Sequence, residues 1–337
     1  MIVVTLYFEP NQSSSMDAKS DLEDLKREFD FQFAQVDIST DPHLYKEYSD
    51  QVPQVQIGPY RLKSPFTIQD LRVTLGAAIN RDSQLNTVGD MEHYKRVERG
   101  HTLSGADKIS YWISRHYMGL ICFLLFIYVG LPFAAPALAK IGWIRPARII
   151  YAVYSPFCHQ LPYRSWFLFG EQPYYPRTLA GVEGIGTYED FFGDNSTKVT
   201  TVRKITGIEE AGSGIGQIGY KVALCERDIA IYTSMLLFGL IFIIAGKKIK
   251  QLPWYLWVII GLGPIGLDGV SQLPSLINFL PAWALAREST PVLRSLTGML
   301  FGVTTAWFLY PMIEDSMRET RSMLAGKRVI VPQIQPK

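Results

Sequence analysis

Residues 116–136 read HYMGLICFLLFIYVGLPFAAP, a stretch without Asp, Glu, Lys or Arg. An α-helix needs roughly 20 mostly apolar residues to cross the hydrocarbon core of a bilayer, because each residue adds only about 1.5 Å. Three further stretches have a similar length and apolar character, at residues 229–246, 254–273 and 293–312. The sequence therefore predicts an α-helical integral membrane bundle of about four spans.

The segment 141–169 separates the first two predicted spans. It is apolar, but Arg145, Arg148 and Arg164 interrupt it, together with three prolines. Hydrocarbon tolerates such residues poorly. We expect the segment to lie in the membrane interface or to re-enter the membrane from one side. If it spanned the membrane instead, one end of the chain would move to the opposite side.

Composition narrows the class of protein further. The formal net charge is only +2, whereas nucleic-acid binders concentrate a large basic excess to neutralise phosphates. Apolar residues make up 48% of the chain and concentrate after residue 115. We therefore expect no nucleic-acid partner, a lipid bilayer around the C-terminal part and a soluble domain before it.

Basic residues predict the orientation of the spans. Lys247, Lys248 and Lys250 lie in a short turn between the second and third predicted spans. Short loops rich in Lys and Arg stay on the cytoplasmic side. With four spans, both termini are then cytoplasmic, and the long loop of residues 171–222 lies outside.

The N-terminal part alternates between β-rich and helix-compatible runs. The β-rich runs are residues 2–8, 31–38 and 55–57, and the helix-compatible runs are residues 16–29, 41–50 and 67–80. Such an alternation is typical of an α/β domain with helices packed on a sheet. We assign this domain to residues 1–85.

The string YFEPNQSSSMDAKSDLEDL, residues 7–25, resembles the first strand and helix of small bacterial glutaredoxin-like proteins. The resemblance implies a thioredoxin-like fold, and it places Pro53 where that fold keeps a cis-proline beside its active site. The two redox cysteines of the family align with Gln12 and Ser15, and no cysteine precedes Cys122. Because thiol exchange requires a thiolate, the resemblance implies a docking or folding module that has lost its redox chemistry.

In the membrane part, polar and ionisable side chains concentrate at the predicted outer ends of the spans. Ionisable groups near membrane depth are costly, so they indicate a functional site by default. The candidate cluster consists of Cys158, His159, Gln160, Arg164, Cys225, Arg227, Asp228, Asp268, Gln272 and Arg294. We expect Asp268 to form a buried ion pair with Arg294 or Arg227, and Cys158 and Cys225 to join the same cluster.

A second resemblance rests on four strings in this order: CHQLPYRSWFLFG at 158–170, LCERDIAIY at 224–232, PIGLDGVSQ at 264–272 and ARESTPVLRSLTGMLFG at 286–302. They are similar to the bacterial membrane family catalogued as domain of unknown function 2085. The family pattern has Cys-x-x-Cys in the second string, and here Asp228 replaces the last cysteine. The resemblance implies a protein of the bacterial cytoplasmic (inner) membrane.

Several chemistries suit this set of donors. Cys158, His159, Cys225 and Asp228 offer two thiolates, an imidazole and a carboxylate, which suit zinc or another transition metal. Adjacent residues such as Cys158 and His159, however, rarely bind one metal together. On an oxidising outer face, a disulfide between Cys158 and Cys225 is the alternative. His159 is then a hydrogen-bonded structural residue.

The outer loop of residues 171–222 mixes Gly, Asp and β-branched residues, so we expect an insertion with turns and one or two hairpins. It contains Gly214-x-Gly216-x-x-Gly219, the spacing of dinucleotide sites, but without the strand and helix that such a site requires. A hairpin tip fits this spacing better. Asn195 begins an Asn-x-Thr acceptor, which has meaning only in a eukaryotic secretory setting.

The sequence thus divides into a glutaredoxin-like domain at residues 1–85, a basic linker at 86–114, a transmembrane module at 115–315 and a cytoplasmic tail at 316–337. Its favoured function is that of a non-catalytic subunit or assembly protein of a larger membrane complex, with other membrane subunits as partners. The thiol-free domain and the inserted loop both offer contact surface without chemistry. A membrane enzyme or metal-binding protein with an outer-face Cys/His/Asp site is the alternative, and a transporter is the second alternative.

Overall fold

The computed structural model describes residues 2–89, 91–193, 205–209, 218–272 and 288–334. The glycine spacing around Gly214 and the acceptor at Asn195 lie outside the described residues. The chain divides into two compact units. The first unit joins Met1–Tyr117 with Asp315–Lys337, and the second unit is Met118–Glu314.

The described elements have the following bounds. The strands are β1 Ile2–Phe8, β2 Phe31–Asp37, β3 Gln54–Ile57, β4 Tyr60–Lys63, β5 Ser165–Leu168 and β6 Tyr220–Cys225. The helices are α1 Ser13–Leu25, α2 Pro42–Tyr48, α3 Ile68–Val88, α4 Met91–His101, α5 Gly105–Lys140, α6 Ile144–Tyr154, α7 Tyr188–Phe192, α8 Glu226–Ile244, α9 Trp254–Val270 and α10 Pro291–Ile334. Helix α9 contains one π-helical turn, Trp257–Leu262.

A four-stranded sheet forms the centre of the first unit, with the spatial order β2-β1-β3-β4. Strand β1 runs parallel to β2 and antiparallel to β3, and β3 runs antiparallel to β4. One face of the sheet is covered by α1 and α3. The core on this face consists of Val4, Leu6, Ala18, Leu22, Leu25, Phe31, Val55, Ile57, Leu71, Leu75 and Ala78.

Local sequence signals set the ends of α3. The Thr67 side chain accepts a hydrogen bond from the backbone N–H of Asp70, and the Asp70 carboxylate accepts one from the backbone N–H of Thr67 at 2.8 Å. This reciprocal capping satisfies two N–H groups that the first helical turn would leave unpaired. The helix ends at Gly89, whose φ of 71° lies in the left-handed region that glycine adopts without strain.

The opposite face of the sheet is covered by helices from distant parts of the chain. The start of α5 and the end of α10 pack on it, together with α2. The cluster there consists of Tyr7, Val36, Ile38, Leu44, Tyr48, Val52, Tyr111, Leu324 and Ala325. Near the end of α10, the Gln333 amide bonds both the N–H and the C=O of Gln35, at 2.9 and 2.8 Å. The predicted tail is thus a helix that completes the core of the first unit.

The predicted basic linker at residues 86–114 is also helical in most of its described part. It contains the end of α3, the whole of α4 and the first turns of α5. Lys327 of α10 and Asp107 of α5 form an ion pair at 2.8 Å within the first unit.

Three described helices are long and apolar enough to cross a membrane, namely α5, α8 and α10. They contain the predicted spans at residues 116–136, most of 229–246, and 293–312. The remaining predicted span, at 254–273, corresponds to α9, which is apolar but only about 25 Å long. A hydrocarbon core is about 30 Å thick. By length and composition, the described chain therefore has three candidate spans.

Helices α8 and α10 run side by side in the same direction. At one end Arg294 of α10 lies 3.3 Å from Glu226 of α8. Near the end of α8, the ring of Phe242 packs with that of Tyr310 of α10, and their centroids are 6.4 Å apart. The two helices therefore begin at one level of the second unit and reach the far level together.

Helix α9 runs in the opposite direction between the same two levels. Just before its start, the Leu252 N–H donates at 3.4 Å to the carbonyl of Trp307, which lies in α10 three residues before Tyr310 and so near the level where α8 ends. Close to its end, Asp268 forms an ion pair with Arg227 in the first turn of α8. Despite its shorter length, α9 therefore covers nearly the same distance as α8.

Glycines allow α10 to approach α8 closely. Gly298 and Gly302 have the Gly-x-x-x-Gly spacing that brings helices together in membranes. A Cβ atom at Gly302 would lie 2.3 Å from the Ile231 carbonyl oxygen and 2.1 Å from Ser234 Oγ. Since one of these neighbours is backbone, the contact cannot be relieved by a side-chain rotation alone.

We expect Gly302→Ala to lower the free energy of unfolding by about 1–3 kcal/mol, because the added methyl group must force α8 and α10 apart. Thermal unfolding of the purified protein in detergent micelles measures the effect. Gly266→Ala in α9 is the matched control, since a Cβ there meets nothing within 4 Å and alanine favours helix. Equal melting temperatures for the two variants would contradict the close approach.

The segment 141–169 does not form a spanning helix. It contains α6, which is about 16 Å long, and then β5. Strand β5 pairs antiparallel with β6, which begins at the C-terminal end of the loop of residues 171–222. The hairpins expected within residues 171–222 are represented, among its described residues, by β6 alone, and α7 adds a short helix. Aromatic residues of the loop, Tyr175 and Tyr188, pack in one core with Tyr163 and Phe167 of the preceding segment.

Candidate functional site

Cys158, Cys225 and Asp228 meet in the second unit. Their two sulfur atoms and a carboxylate oxygen all lie within 4.8 Å of one another. Cys225 ends β6 and immediately precedes α8, and Asp228 lies in the first turn of α8. In the β5–β6 ladder, Cys225 is opposite Ser165. This pairing holds the segment that follows Cys158 against the start of α8, which explains why distant residues converge.

Backbone N–H groups hold both sulfur atoms in place. The Cys225 Sγ atom caps α8 by accepting from the Asp228 N–H at 3.5 Å, and the Cys158 Sγ atom accepts from the Gln160 N–H at 3.4 Å. Gln160 has a φ of 52°, in the left-handed region that residues other than glycine seldom adopt. Its buried side chain donates to the Tyr151 carbonyl at 2.7 Å, which stabilises this conformation.

The two thiols differ in acidity. The Cys225 thiol donates a hydrogen bond to the Cys158 sulfur, and this bond lowers the pKa of Cys158 to about 6. The same bond, together with burial, raises the pKa of Cys225 well above its ordinary value. Cys158 is therefore the more acidic of the two thiols, and a thiolate is the form that binds metals and attacks electrophiles.

His159 does not join the two cysteines and Asp228. Cys158 is buried, whereas the side chain of its neighbour His159 is exposed. The group of possible metal donors among the described residues contains Cys158, Cys225 and Asp228 without His159. Adjacent residues point their side chains apart here, so the predicted set of four donors is reduced to three.

The four residues from Cys225 to Asp228 contact cluster residues from three other parts of the chain. Cys225 and Asp228 face Cys158. Between them, Glu226 bonds Arg294 and Arg227 bonds Asp268. Successive residues of a helix are rotated by about 100°, so neighbours at a helix start can contact different elements.

The ion pair of Asp268 is made with Arg227, the second of the two cations that the sequence named. The Asp268 side chain is buried, and the Gln272 amide donates to its carboxylate at 3.1 Å. A buried carboxylate is costly without such partners. This arrangement ties the end of α9 to the start of α8.

Arg294 has other partners. It donates to Glu226 at 3.3 Å and to the Tyr163 carbonyl at 3.0 Å, and it contacts Glu288. Arg164 bonds the same Glu288 through two nitrogen atoms, at 2.7 and 3.0 Å. Two guanidinium groups thus face two carboxylates, and their charges balance. This network links the start of α10 to the segment after Cys158.

Two members of this network, Glu226 and Glu288, were not among the predicted site residues. Both stand in the quoted strings, and Glu226 lies three residues before the predicted span at 229–246. An acidic residue at a helix N-terminus is favoured by the helix dipole, so Glu226 is in itself an ordinary residue for a helix start. The signal that distinguishes it is its complete burial beside Arg294.

Aromatic side chains pack beside the cysteines. Tyr128 of α5 lies with its ring centroid 5.6 Å from that of Tyr154 and 4.7 Å from that of Tyr232. Tyr128 and Tyr154 belong to the same apolar cluster as Cys158. An apolar surround limits the access of water to a site and so strengthens electrostatic interactions there.

In the first unit, Gln12 and Ser15 stand at the start of α1. Gln12 is the residue immediately before the helix, and the Ser15 hydroxyl donates to the Gln12 side-chain oxygen at 3.3 Å. The Val52–Pro53 peptide bond is cis, as the resemblance implied. The described residues of this unit contain no cysteine.

We expect a double variant, Gln12→Cys with Ser15→Cys, to form an intramolecular disulfide, because the native side chains already touch and a disulfide needs Cβ atoms only about 4 Å apart. Mass spectrometry of non-reduced peptides detects the bond. The two single variants serve as controls and should gain one free thiol each. If both introduced thiols stay free in the oxidised double variant, the assignment of these positions is wrong.

Three apolar helices of spanning length, with a polar cluster at the starts of α8 and α10, define the chain as a membrane protein. A family model described as "Predicted membrane protein (DUF2085)" matches residues 215–308. The matched region contains Cys225, Asp228, Asp268 and Arg294, while Cys158 lies before it. The C-terminal region is thus similar to a family of predicted membrane proteins.

One curated relative matches a longer part of the chain. An uncharacterised protein of Methanocaldococcus jannaschii is 28% identical over 209 residues, which cover 59% of this chain and 94% of the relative. No solved structure matches the chain.

Proposed function

We propose that this chain is a membrane protein that binds a divalent transition metal ion through Cys158, Cys225 and Asp228. The observation that carries the proposal is the convergence of their donor atoms within 4.8 Å. Two thiolates and a carboxylate suit zinc, with bonds of about 2.3 Å to sulfur and about 2.1 Å to oxygen. The bilayer-spanning helices supply the scaffold on which these donors are held.

The donor positions fit such an ion after a small contraction. With these bond lengths and tetrahedral angles, donor atoms lie about 3.6–3.8 Å apart. Separations of up to 4.8 Å therefore need to shorten by about 1 Å, which side-chain torsions can supply. Three protein donors and an open fourth position are the pattern of zinc sites that hold a water molecule or a substrate.

Elemental analysis of the reduced protein, purified in detergent, tests the proposal. We expect a transition metal near one equivalent per chain, and Co²⁺ in its place should give a thiolate-to-cobalt absorption band. Cys225→Ser should abolish both signals. Cys122→Ser is the matched control, because Cys122 is buried within α5 away from the site. A protein that binds neither metal would refute the proposal.

A non-catalytic subunit or assembly protein of a larger membrane complex is the second candidate function. The thiol-free start of α1 favours it, since Gln12 and Ser15 leave the first unit with a folded surface and no redox chemistry. The charge-balanced contacts of Arg294 and Arg164 also fit a purely structural role. The same elemental analysis separates the candidates, because a scaffold predicts no bound metal.

We also propose that the first unit has a thioredoxin-like fold. The strand order β2-β1-β3-β4, the cis peptide bond before Pro53 and the position of Gln12 before α1 support this assignment. The proposed residue range of the domain is 1–85, with the end of α10 as an additional packing element.

For the membrane part we propose four crossings of the cytoplasmic membrane, with both termini inside. The antiparallel course of α9 beside α8 supports the fourth crossing, and the basic turn at residues 247–250 supports the orientation. A membrane-impermeant reagent should label a cysteine at position 196 in intact cells, in a background without Cys158 and Cys225. Labelling at position 316 instead would reverse the orientation.

A further inference from the structure

We infer that the same three-residue site is under redox control: Cys158 and Cys225 close to a disulfide when no metal is bound, and the disulfide excludes the metal. This inference rests on the proposed metal-binding function and adds its regulation. Both sulfur atoms lie within the 4.8 Å group, and both cysteines are free thiols.

The positions of the cysteines favour closure. Cys158 lies between α6 and β5, and Cys225 lies at the junction of β6 and α8. Neither is inside a long helix, so a small torsional change at each can bring the sulfur atoms to the roughly 2.05 Å of a disulfide. The third cysteine, Cys122, lies within α5 and is not part of the group.

The oxidant in this scheme is a small-molecule disulfide. One cysteine thiolate attacks a sulfur atom of that molecule, which breaks its S–S bond, forms a mixed disulfide and releases one thiolate. The second cysteine thiolate then attacks the cysteine sulfur of the mixed disulfide, forms the Cys158–Cys225 bond and releases the second thiolate. The protein loses two electrons, the small disulfide becomes two thiols, and these take up the two cysteine protons.

Metal binding and the disulfide are mutually exclusive for two reasons. A disulfide sulfur carries no negative charge, so Asp228 alone would remain as an anionic donor. In addition, the disulfide holds the sulfur atoms about 2.05 Å apart, whereas a tetrahedral zinc ion needs them about 3.8 Å apart. Conversely, a bound metal occupies both thiolates and shields them from attack.

The test uses the full chain in detergent, reduced and stripped of metal. Oxidised glutathione is added, free thiols are counted by alkylation and mass spectrometry, and Co²⁺ serves as the metal probe. The sequence has three cysteines. We expect the free thiols to fall from three to one, with Cys122 remaining, and the cobalt band to be lost. Prior loading with Zn²⁺ should slow the loss of thiols at least tenfold.

Asp228→Asn separates metal binding from disulfide formation. It removes a metal donor and retains both thiols, so it should weaken Co²⁺ binding yet still form the disulfide. Cys122→Ser is the matched control and should keep both metal binding and disulfide formation.

Three results would overturn the inference, and they are distinguishable. If the metal-free protein binds Co²⁺ but keeps all its thiols under glutathione, redox control is wrong and the metal site stands. The same holds if the oxidised protein binds Co²⁺ with unchanged affinity. If the reduced protein binds no Co²⁺ at all, the proposed metal function fails, and its redox control fails with it.

Discussion

Replacing Arg294 by glutamine should lower the free energy of unfolding by about 3–5 kcal/mol, the usual cost of removing one partner from a buried ion pair. The Arg294 guanidinium bonds Glu226 and contacts Glu288. Glu226 has no exposed surface, so without Arg294 its carboxylate would remain buried and lose the cation hydrogen-bonded to it. Thermal or denaturant unfolding in detergent micelles measures the loss.

Removing both partners should be milder than the sum of the single changes. Glu226→Gln combined with Arg294→Gln leaves Arg164 and Glu288 as a balanced pair at 2.7 Å, so a coupling energy of about 0.5–3 kcal/mol is expected. Arg148→Gln is the matched control, because Arg148 is an exposed arginine of α6. Purely additive losses would mean that Glu226 and Arg294 do not stabilise each other.

The same cycle distinguishes the two predicted partners of Asp268. Asp268→Asn should couple with Arg227→Gln, whose side chains form an ion pair. With Arg294→Gln it should be additive, because Arg294 bonds other carboxylates. If Asp268→Asn instead coupled with Arg294→Gln and was additive with Arg227→Gln, Asp268 would be paired with Arg294.

Leu324→Ala should destabilise the first unit by about 2–5 kcal/mol, the range for deleting a buried leucine side chain. Leu324 is 3% exposed and packs with Tyr7, Val36 and Tyr111 in the core on the second face of the sheet. Limited proteolysis measures the effect. The rate of cleavage between residues 13 and 88 reports the free energy of unfolding of this unit.

Met323→Ala is the matched control on the same helix. Met323 is 63% exposed, and substitutions at such positions usually change stability by no more than about 0.5 kcal/mol. If Leu324→Ala were as mild as Met323→Ala, the end of α10 would not be part of the core of the first unit.

The amino-acid pattern was sufficient to predict the structural features that depend on residues close together in the sequence. Spans follow from uninterrupted apolar length, as residues 116–136 show, because the cost of placing charges in hydrocarbon is paid residue by residue. The alternating runs before residue 80 predicted β1 to β3 and the helices around them, because the residue patterns of strands and helices are also local. Strand β4 is as short as β3, and its sequence YRLK carries two basic residues, so it does not stand out as a strand.

The candidate site was predictable in position but not in its pairings. Topology alone brings the starts of α8 and α10 to one level, so Cys225, Asp268 and Arg294 could be grouped from the sequence. The carboxylate that each arginine bonds depends on distances of a few ångströms and on burial. The order of residues along the chain specifies neither. For that reason the sequence does not single out the buried Glu226, and it does not separate the exposed His159 from the cysteines.

By itself, then, the sequence determined the membrane class, the thiol-free start of α1 and the level at which the polar groups gather. Only the tertiary structure decided that Cys158, Cys225 and Asp228 face one another, that Asp268 bonds Arg227, and that the C-terminal helix completes the core beside Tyr7. The physical reason is the separation along the chain between the residues that interact. Hydropathy and capping act between near neighbours along the chain, whereas donor convergence and core packing arise between residues far apart in sequence, and these require the folded chain.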